Sequence, residues 1–297
     1  MPLARCVHVF LAVVTLLLWV APLSVFAQPP ETGPTVLHVP SSARTSALAG
    51  AWVAGRDQDV VFHNPAQLIG TRSGFDLSAV RLGPGRSALA MGSVFAAGKY
   101  SLTFGWGAQV VNDSGSSALM AAGAAIVVKK FRVGVTAKYA SEVSTPSANV
   151  LLPVTVNHNI LMADVGVARN LFGGAAALAF QNLGRDSRDN GGSIRLPRQV
   201  ALGWSTTKVA GPFDVGVFTQ LAARRSWVAP AAGVEVGYSW IEGYTVMLRA
   251  GARRPEFADE KPMTLGAAFT ADRLTVEYSV RFRDGGRTEN GVTLRWR

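Results

Sequence analysis

The chain has 297 residues, of which 48% are hydrophobic and only 16% are charged, with a net charge of +10 and a single cysteine. The hydrophobic content excludes a disordered protein, and a lone cysteine excludes an intrachain disulfide framework. The charged fraction lies below the roughly 25% that is typical of soluble domains. The positive charge would suit a nucleic-acid partner in the cytosol. The first thirty residues argue for export instead, so no nucleic acid is expected as a partner.

Residues 1–27 have the pattern of a secretory signal peptide. Arg5 supplies a positive start, an apolar run follows over residues 7–20, and residues 25–27 offer a small-residue cleavage site. The alternative is a transmembrane anchor, but the run is too short to cross roughly 30 Å of hydrocarbon comfortably, and a proline ends it. We therefore predict that this segment, which holds the only cysteine, is removed on export.

The rest of the chain shows repeated alternation of apolar with polar or small residues. Alternation of period two is typical of β-strands with one apolar and one polar face. In one clear example, the two faces consist of alternate residues: Leu274, Val276, Tyr278, Val280 and Phe282 against Arg273, Thr275, Glu277, Ser279 and Arg281. The pattern suits either a soluble sandwich with its apolar face inward or a membrane barrel with its apolar face outward.

Strand length separates these two folds. Strands of a sandwich average about 5–6 residues, whereas these segments run for roughly ten to fourteen, the length needed to cross a bilayer at a tilt. About fourteen segments follow residue 70. Short and long links alternate between them, as in single-chain bacterial barrels, except for the short links after the first and the ninth segment. We predict an all-β fold, a transmembrane antiparallel β-barrel of about 14 strands over residues 71–297, in the bacterial outer membrane.

In such a barrel the polar faces of the strands line the lumen. Both signs of charge occur on these faces, so we predict that inward side chains pair and form a lumen charge network. Its predicted members are Arg132, Asp164, Arg249, Glu277 and Arg281. A few apolar inward positions leave a narrow apolar site open as an alternative; they are Met162, Phe218 and Met247.

Residues 28–70 precede the predicted barrel and are predicted to be an extended start followed by a plug in or under the lumen. Residues 41–54 read SSARTSALAGAWVA, and residues 55–68 read GRDQDVVFHNPAQL. The Asn64-Pro65-Ala66 step predicts a structural turn, because proline fixes φ and asparagine bonds the local backbone. The two aspartates of the second stretch are expected in a solvated turn, with a cation site as the alternative.

This N-terminal pattern resembles the signature of the PorV/PorQ family, which is related to FadL-type barrels. There the pattern is about A-R-x-x-x-L-G-G-A-x-V-A, a short acidic stretch, and then W/F-N-P-A-x-L. The matching residues are Ala43, Arg44, Gly50, Ala51, Val53, Ala54, Asp57, Asp59, Asn64, Pro65, Ala66 and Leu68. The resemblance implies a structural or interaction component of type IX protein secretion or of surface attachment, with secreted proteins or secretion-system components as partners.

Sequence motifs for chemistry do not stand out. None of the four histidines has metal-ligand spacing, and there is no G-x-S-x-G motif. We therefore predict that the protein is not an enzyme and needs no metal and no cofactor. Three functions stay open: the PorV/PorQ-type role, FadL-like transport of hydrophobic small molecules, and hydrolysis by unassigned serine and histidine residues. Outer-membrane lipid and lipopolysaccharide are the expected surroundings.

Overall fold

The computed structural model describes residues 33–97, 102–112, 115–144, 156–189, 192–225 and 227–297. In these residues the chain forms a closed antiparallel barrel of fourteen strands, which confirms the predicted fold class. The predicted signal peptide and residues 28–32 lie outside the described residues. No helix within the described ranges is long and apolar enough to span a bilayer.

The strands run in chain order around the barrel, with one small hairpin outside it. Their bounds are β1 (Gly74–Gly83), β2 (Arg86–Ala97), β3 (Leu102–Asn112), β4 (Gly115–Val128), β5 (Phe131–Ser144), β6 (Val156–Leu171), β7 (Gly174–Gly184), β8 (Ser187–Asp189), β9 (Gly192–Ile194), β10 (Gln199–Ala210), β11 (Phe213–Arg224), β12 (Trp227–Ile241), β13 (Tyr244–Arg253), β14 (Glu260–Ala271), β15 (Leu274–Arg283) and β16 (Thr288–Trp296). Strand β7 pairs with β10, because the hairpin β8–β9 lies in the connection between them, and β16 pairs with β1 to close the barrel.

The outer surface of the barrel is an apolar belt. On β15 the outward side chains of Leu274 and Tyr278 are 39% and 45% exposed, whereas Glu277 between them is fully buried in the lumen. Leu161 and Leu248 on other strands reach 72% and 64% exposure. Water disfavours so large a continuous apolar surface, whereas the hydrocarbon of a membrane favours it. The barrel is therefore a transmembrane barrel of the outer-membrane type.

The two ends of the barrel differ in the length of their connections. At the turn end, strands join through two-residue links such as Lys129-Lys130 and Phe172-Gly173, in which left-handed residues give tight hairpins. At the loop end the links β5–β6, β7–β10, β13–β14 and β15–β16 are longer, whereas β1–β2, β3–β4 and β11–β12 are joined by two residues each. Strand β1 starts and β16 finishes at the turn end. Because the short turns of outer-membrane barrels face the periplasm, the turn end is the periplasmic end.

Aromatic side chains gather on the outer surface near the turn end. Their ring centroids lie 5.3–6.5 Å from one another in a continuous patch, formed by Phe213, Tyr238, Trp240, Tyr244 and Phe269. Rings of this kind are favoured at the level of the lipid headgroups, so the patch marks the membrane interface on the periplasmic side.

The N-terminal segment fills the lumen. Residues 41–68, here called the plug, are almost all buried, and residues 33–40, here called the loop-end segment, lie across the loop end. The plug contains the short helix α1 (Ala43–Ala47), whose N-cap Ser42 accepts a hydrogen bond from the Thr45 amide, as capping residues do. Short 3-10 turns complete the segment; they are Thr35–His38, Gln58–Phe62 and Pro65–Leu68. A further 3-10 turn, Asp284–Gly286, links β15 to β16.

Candidate functional site in the barrel lumen

The Asn64-Pro65-Ala66 turn holds the plug against the wall. The fully buried Asn64 side chain accepts a hydrogen bond from the Ala66 amide (3.0 Å) and donates one to the Val53 carbonyl (2.8 Å). Gly166 on β6 faces it so closely that a Cβ there would lie 1.9 Å from the asparagine Oδ1. Only glycine permits this approach. The turn thus caps a 3-10 turn of the plug and packs against the wall, and residues 69–73 separate it from β1.

A cluster of buried ion pairs joins the plug to the inner face of strands β12, β13, β15 and β16. We call it the central cluster; it consists of Arg44, Asp57, Glu235, Arg249, Glu277, Arg295 and Arg297. Its centre is the Asp57 carboxylate, which lies 2.9 Å from Arg44, 2.8 Å from Arg295 and 2.5 Å from Arg297. Burial opposes ionisation of Asp57, but these three guanidinium groups outweigh it and hold its pKa well below the usual range.

Two glutamates extend the central cluster along the wall. Glu235 on β12 pairs with Arg44 (2.5 Å) and with Arg249 (3.2 Å). Glu277 on β15 pairs with Arg249 and with Arg295, both at 2.9 Å. Charges of opposite sign therefore alternate through the cluster. Loss of one member would leave its partner as a poorly compensated charge in a buried site, which is strongly destabilising.

Asp59 has a different environment from the one predicted. It is fully buried and accepts hydrogen bonds from the hydroxyls of Ser42 and Thr45, both at 2.7 Å, and from the Trp52 indole N–H at 2.9 Å. The expectation that Asp57 and Asp59 lie in a solvated turn is therefore wrong. Closure of the barrel around residues 41–68 excludes water from both carboxylates, and protein donors take the place of water.

The histidines of the lumen do not assemble a catalytic triad. His63 Nε2 lies 2.8 Å from Ser41 Oγ and 3.8 Å from Asp59 Oδ2, so one ring nitrogen faces both groups. A triad needs the acid at the other nitrogen. His38 Nδ1 contacts Glu256, and His158 Nδ1 contacts the Ser187 hydroxyl, each at 3.0 Å. Within the described residues no group of three or more potential metal ligands occurs.

The five predicted lumen charges all point inward and are buried, but they belong to four separate places. Arg249 and Glu277 pair in the central cluster. Asp164 pairs with Lys138 at 2.6 Å, and the lysine also donates to the plug carbonyl of Phe62. The remaining two do not contact these groups: Arg281 pairs with Glu260 (2.8 Å) and Glu289 (3.1 Å), and Arg132 donates to the Asn170 amide oxygen (3.0 Å).

Ionised side chains line one side of the lumen, from β11 to β16. We call this surface the charged wall, and it includes the strand members of the central cluster. Nearer the loop end it carries further pairs, such as Arg253–Glu260 (2.9 Å) and Arg283–Glu289 (2.6 Å), and Arg224 pairs with Glu256. Its members are Arg224, Glu235, Arg249, Arg253, Glu256, Glu260, Glu277, Arg281, Arg283, Glu289 and Arg295.

The opposite side of the lumen, in the loop half of β1–β6, is apolar. We call this surface the apolar wall; it consists of Val80, Leu82, Ala88, Val111, Leu119, Ala121, Ala140, Ile160 and Met162. Val36, Val61 and Phe62 pack on it, with Leu37 and Val39 beside them. Met162 is the one position of this wall that the sequence predicts as apolar and inward. The other residues of this wall could be found in the sequence as apolar residues at positions that the alternation turns toward the lumen.

The loop-end segment is held at both of its ends. The Thr35 amide and hydroxyl both donate to the Glu142 carboxylate, at 3.0 and 2.8 Å. At the other end His38 contacts Glu256. A cavity of about 150 Å³ lies between this segment and the inner faces of β10–β13. The lumen therefore contains an apolar wall, a covering segment and a small cavity at the loop end.

The comparisons with known proteins identify the fold but no family. No family model matches the sequence, and no curated protein matches it. The CymD monoaromatic hydrocarbon channel shares 11% identity at a TM-score of 0.55, over 89% of this chain and 96% of that chain. The deltaS2 mutant of the TodX monoaromatic hydrocarbon channel shares 12% identity at 0.54, over 86% and 96%.

A third solved structure, the toluene transporter TodX of P. putida, shares 11% identity at a TM-score of 0.50, over 84% of this chain and 97% of that chain. At such identities the likeness shows the fold alone, and it gives no support to the narrower PorV/PorQ resemblance. The chain is thus an outer-membrane β-barrel with the fold of these channels.

Proposed function

We propose that this barrel carries small hydrophobic molecules across the outer membrane. The observation that carries the proposal is the apolar wall inside the lumen. Apolar residues occupy the inward phase of six strands here, and a site for hydrophobic ligands is lined mainly by such residues. The three similar structures are named as channels or transporters of monoaromatic hydrocarbons, which agrees with this choice.

The loop-end segment would act as the cover of this site. Its apolar residues Val36, Leu37 and Val39 occupy the wall, so a hydrophobic molecule would take their place with similar burial of apolar area. Displacement of residues 33–40 would also join the apolar wall to the 150 Å³ cavity behind them. The plug beneath would stay in place, because buried ion pairs hold it to the charged wall.

The test is uptake of radiolabelled toluene at limiting concentration by bacterial cells that express the full-length protein. We expect a higher initial rate than in cells with an empty vector. Leu119→Gln and Ile160→Gln each place an amide on the apolar wall and should return uptake toward the vector level. Thr245→Gln is the matched control, because Thr245 faces the lumen near the turn end, away from the wall. Uptake equal to the vector in cells that contain folded barrel would contradict the proposal.

The second candidate is the PorV/PorQ-type role in secretion or attachment. It is favoured by the lock between plug and charged wall, since a barrel that serves as a platform needs no open path. This role predicts no toluene uptake, together with low ion conductance of the intact protein in planar bilayers. Uptake by the wild type that depends on Leu119 and Ile160 would rule it out as the main function.

A further inference from the structure

Two arginines meet at the turn end of the lumen, and neither pairs with a carboxylate of the described ranges. Arg132 on β5 donates from Nη1 to the Asn170 amide oxygen (3.0 Å), and Arg56 of the plug donates from Nη2 to the same oxygen (3.3 Å). Arg56 donates in addition from Nε to Gln67 (3.2 Å). Both guanidinium groups are therefore held by neutral amide oxygens.

One edge of the Arg132 guanidinium has no partner in the part of the chain that the structure describes. The side chain is only 8% exposed, and neither Nε nor Nη2 finds a hydrogen-bond acceptor in the described part of the chain. A buried unpaired donor is costly, and a buried charge more so. These two nitrogens form the side-on fork that binds carboxylate or phosphate through two parallel hydrogen bonds. The bond from Nη1 to Asn170 fixes the plane of this fork.

The cavities beside Arg132 at the turn end have a basic lining. Arg132 and Asn170 line a cavity of about 420 Å³ together with Lys130 and Arg169. Arg56 and Asn170 also line a neighbouring cavity of about 520 Å³. Among the described residues that line the two cavities there is no aspartate or glutamate.

The contrast with the other buried arginines makes this arrangement specific. Arg249, Arg281 and Arg295 each lie within 3.2 Å of at least one carboxylate. Arg132 has none at this range among the described residues, although the same strand alternation places it in the same lumen. An anion from outside the chain would supply Arg132 with the negatively charged partner that the carboxylates of the charged wall supply to the other three arginines.

We propose that Arg132, supported by Arg56 and Lys130, forms a binding site for a small oxyanion, a carboxylate or a phosphate group, at the periplasmic end of the lumen. Arg132 binds the anion through its Nε and Nη2 atoms. Arg56 and Lys130 add positive potential, which attracts anions to the cavity. The site lies at the opposite end of the lumen from the apolar wall, so it stands whether or not the barrel carries hydrophobic molecules.

The experiment is isothermal titration of the purified, folded full-length barrel with inorganic phosphate and with acetate, at constant ionic strength set by sodium chloride. We expect saturable binding of at least one anion by the wild type. Arg132→Gln should weaken it by about tenfold or more, which corresponds to about 1.4 kcal/mol. Arg273→Gln removes one charge from an exposed turn at the same end and should leave the affinity unchanged. Binding of phosphate alone or of acetate alone identifies which oxyanion the site takes.

Two results would overturn the site: absence of binding of either anion by the folded wild type, or an equal loss in the Arg132 and Arg273 variants. The second result would mean general attraction by the basic surface. Folding of each variant is checked by its heat-dependent migration on a gel. If Arg132→Gln does not fold, Asn170→Ala keeps both arginines but removes their shared acceptor. It should weaken binding severalfold, and an unchanged affinity would then reject the site.

Discussion

The apolar wall and the charged wall face each other across one lumen, and they hold the N-terminal segment in different ways. The charged wall contacts it through directional pairs, such as Arg295 with Asp57 at 2.8 Å. The strands of the apolar wall contact it through packed side chains such as Val36 and Phe62, and through two hydrogen bonds to its backbone: the Val36 amide donates to Ser117 Oγ (3.2 Å), and Lys138 Nζ donates to the Phe62 carbonyl (2.9 Å). Removing a partner from a buried ion pair leaves a charge uncompensated. Removing an apolar cover leaves a surface that another apolar molecule can occupy equally well.

The difference bears on which side of the lumen would open under the proposed function. Ion pairs tie the plug to the side of β11–β16, whereas the proposed function requires the loop-end segment to leave the side of β1–β6. A path for a ligand would therefore run along the apolar wall, with the plug staying in place as its floor. Four measurements probe this contrast.

Asp57→Asn should have the largest effect, since it removes the shared carboxylate of three guanidinium groups. We expect a loss of about 3–5 kcal/mol in the free energy of unfolding. Urea titration of the barrel in lipid vesicles, followed by heat-dependent gel migration, measures it. Asp272→Asn, at an exposed turn, is the control and should change little. Equal stability of the Asp57 variant and the wild type would show that the central cluster does not hold the plug.

Truncation on the apolar wall should follow the loss of packed volume. Ile160 is 2% exposed, so Ile160→Ala should cost about 2–4 kcal/mol and Ile160→Val about 1 kcal/mol. The same urea titration measures both variants. A larger loss of unfolding free energy in Ile160→Ala than in Ile160→Val would support an apolar wall that is stabilised by packing. If the alanine variant were as stable as the wild type, residues such as Val36 and Phe62 could not be packed on this wall as described.

Glu142→Gln should loosen the loop-end segment without unfolding the barrel. It removes the charge that receives both hydrogen bonds of Thr35, a local loss of about 1–2 kcal/mol. We expect the Thr35 amide to exchange its hydrogen faster in this variant, while the midpoint of the urea titration stays unchanged. Glu242→Gln in the exposed β12–β13 turn serves as the comparison. Unchanged exchange at Thr35 would mean that this contact does not restrain the segment.

Low pH should weaken the other anchor of the loop-end segment, the contact between His38 and Glu256. This is the smallest of the four expected effects, and it is absent at neutral pH. Burial opposes ionisation of Glu256, but the hydrogen bond with His38 and the charges of Arg224 and Arg253 hold its pKa well below the usual 4.5. Its stabilising contribution is therefore present above pH 4.5 and is lost as the pH falls through the lowered pKa.

The indole signal of Trp227 reports this change, because the Arg224 guanidinium lies 5.3 Å from its ring centroid. We expect the signal to be constant from pH 7 to pH 5 and to move at lower pH. In Glu256→Gln the movement should disappear. A titration that persists in this variant would assign the change to another carboxylate.

The sequence predicts the barrel well because its wall depends on local periodicity. Alternation alone places Arg249 and Glu277 inward, as the structure has them. It does not predict that Asp57 meets Arg295, since that contact depends on how the barrel closes around the plug. The apolar wall escapes prediction for another reason. In β1 both Leu77, facing lipid, and Val80, facing the lumen, are apolar, so the alternation fades where this wall lies.

The contacts of Asp57 with Arg295 and Arg297 also impose an order on assembly. The plug is synthesised before any strand, yet its central carboxylate is neutralised by residues at and beyond the end of the last strand. Those residues reach the lumen only when β16 has paired with β1. A barrel that has not closed therefore leaves the Asp57 carboxylate without two of its three guanidinium partners. The full set of ion pairs at Asp57 is therefore expected only after the final strand has paired.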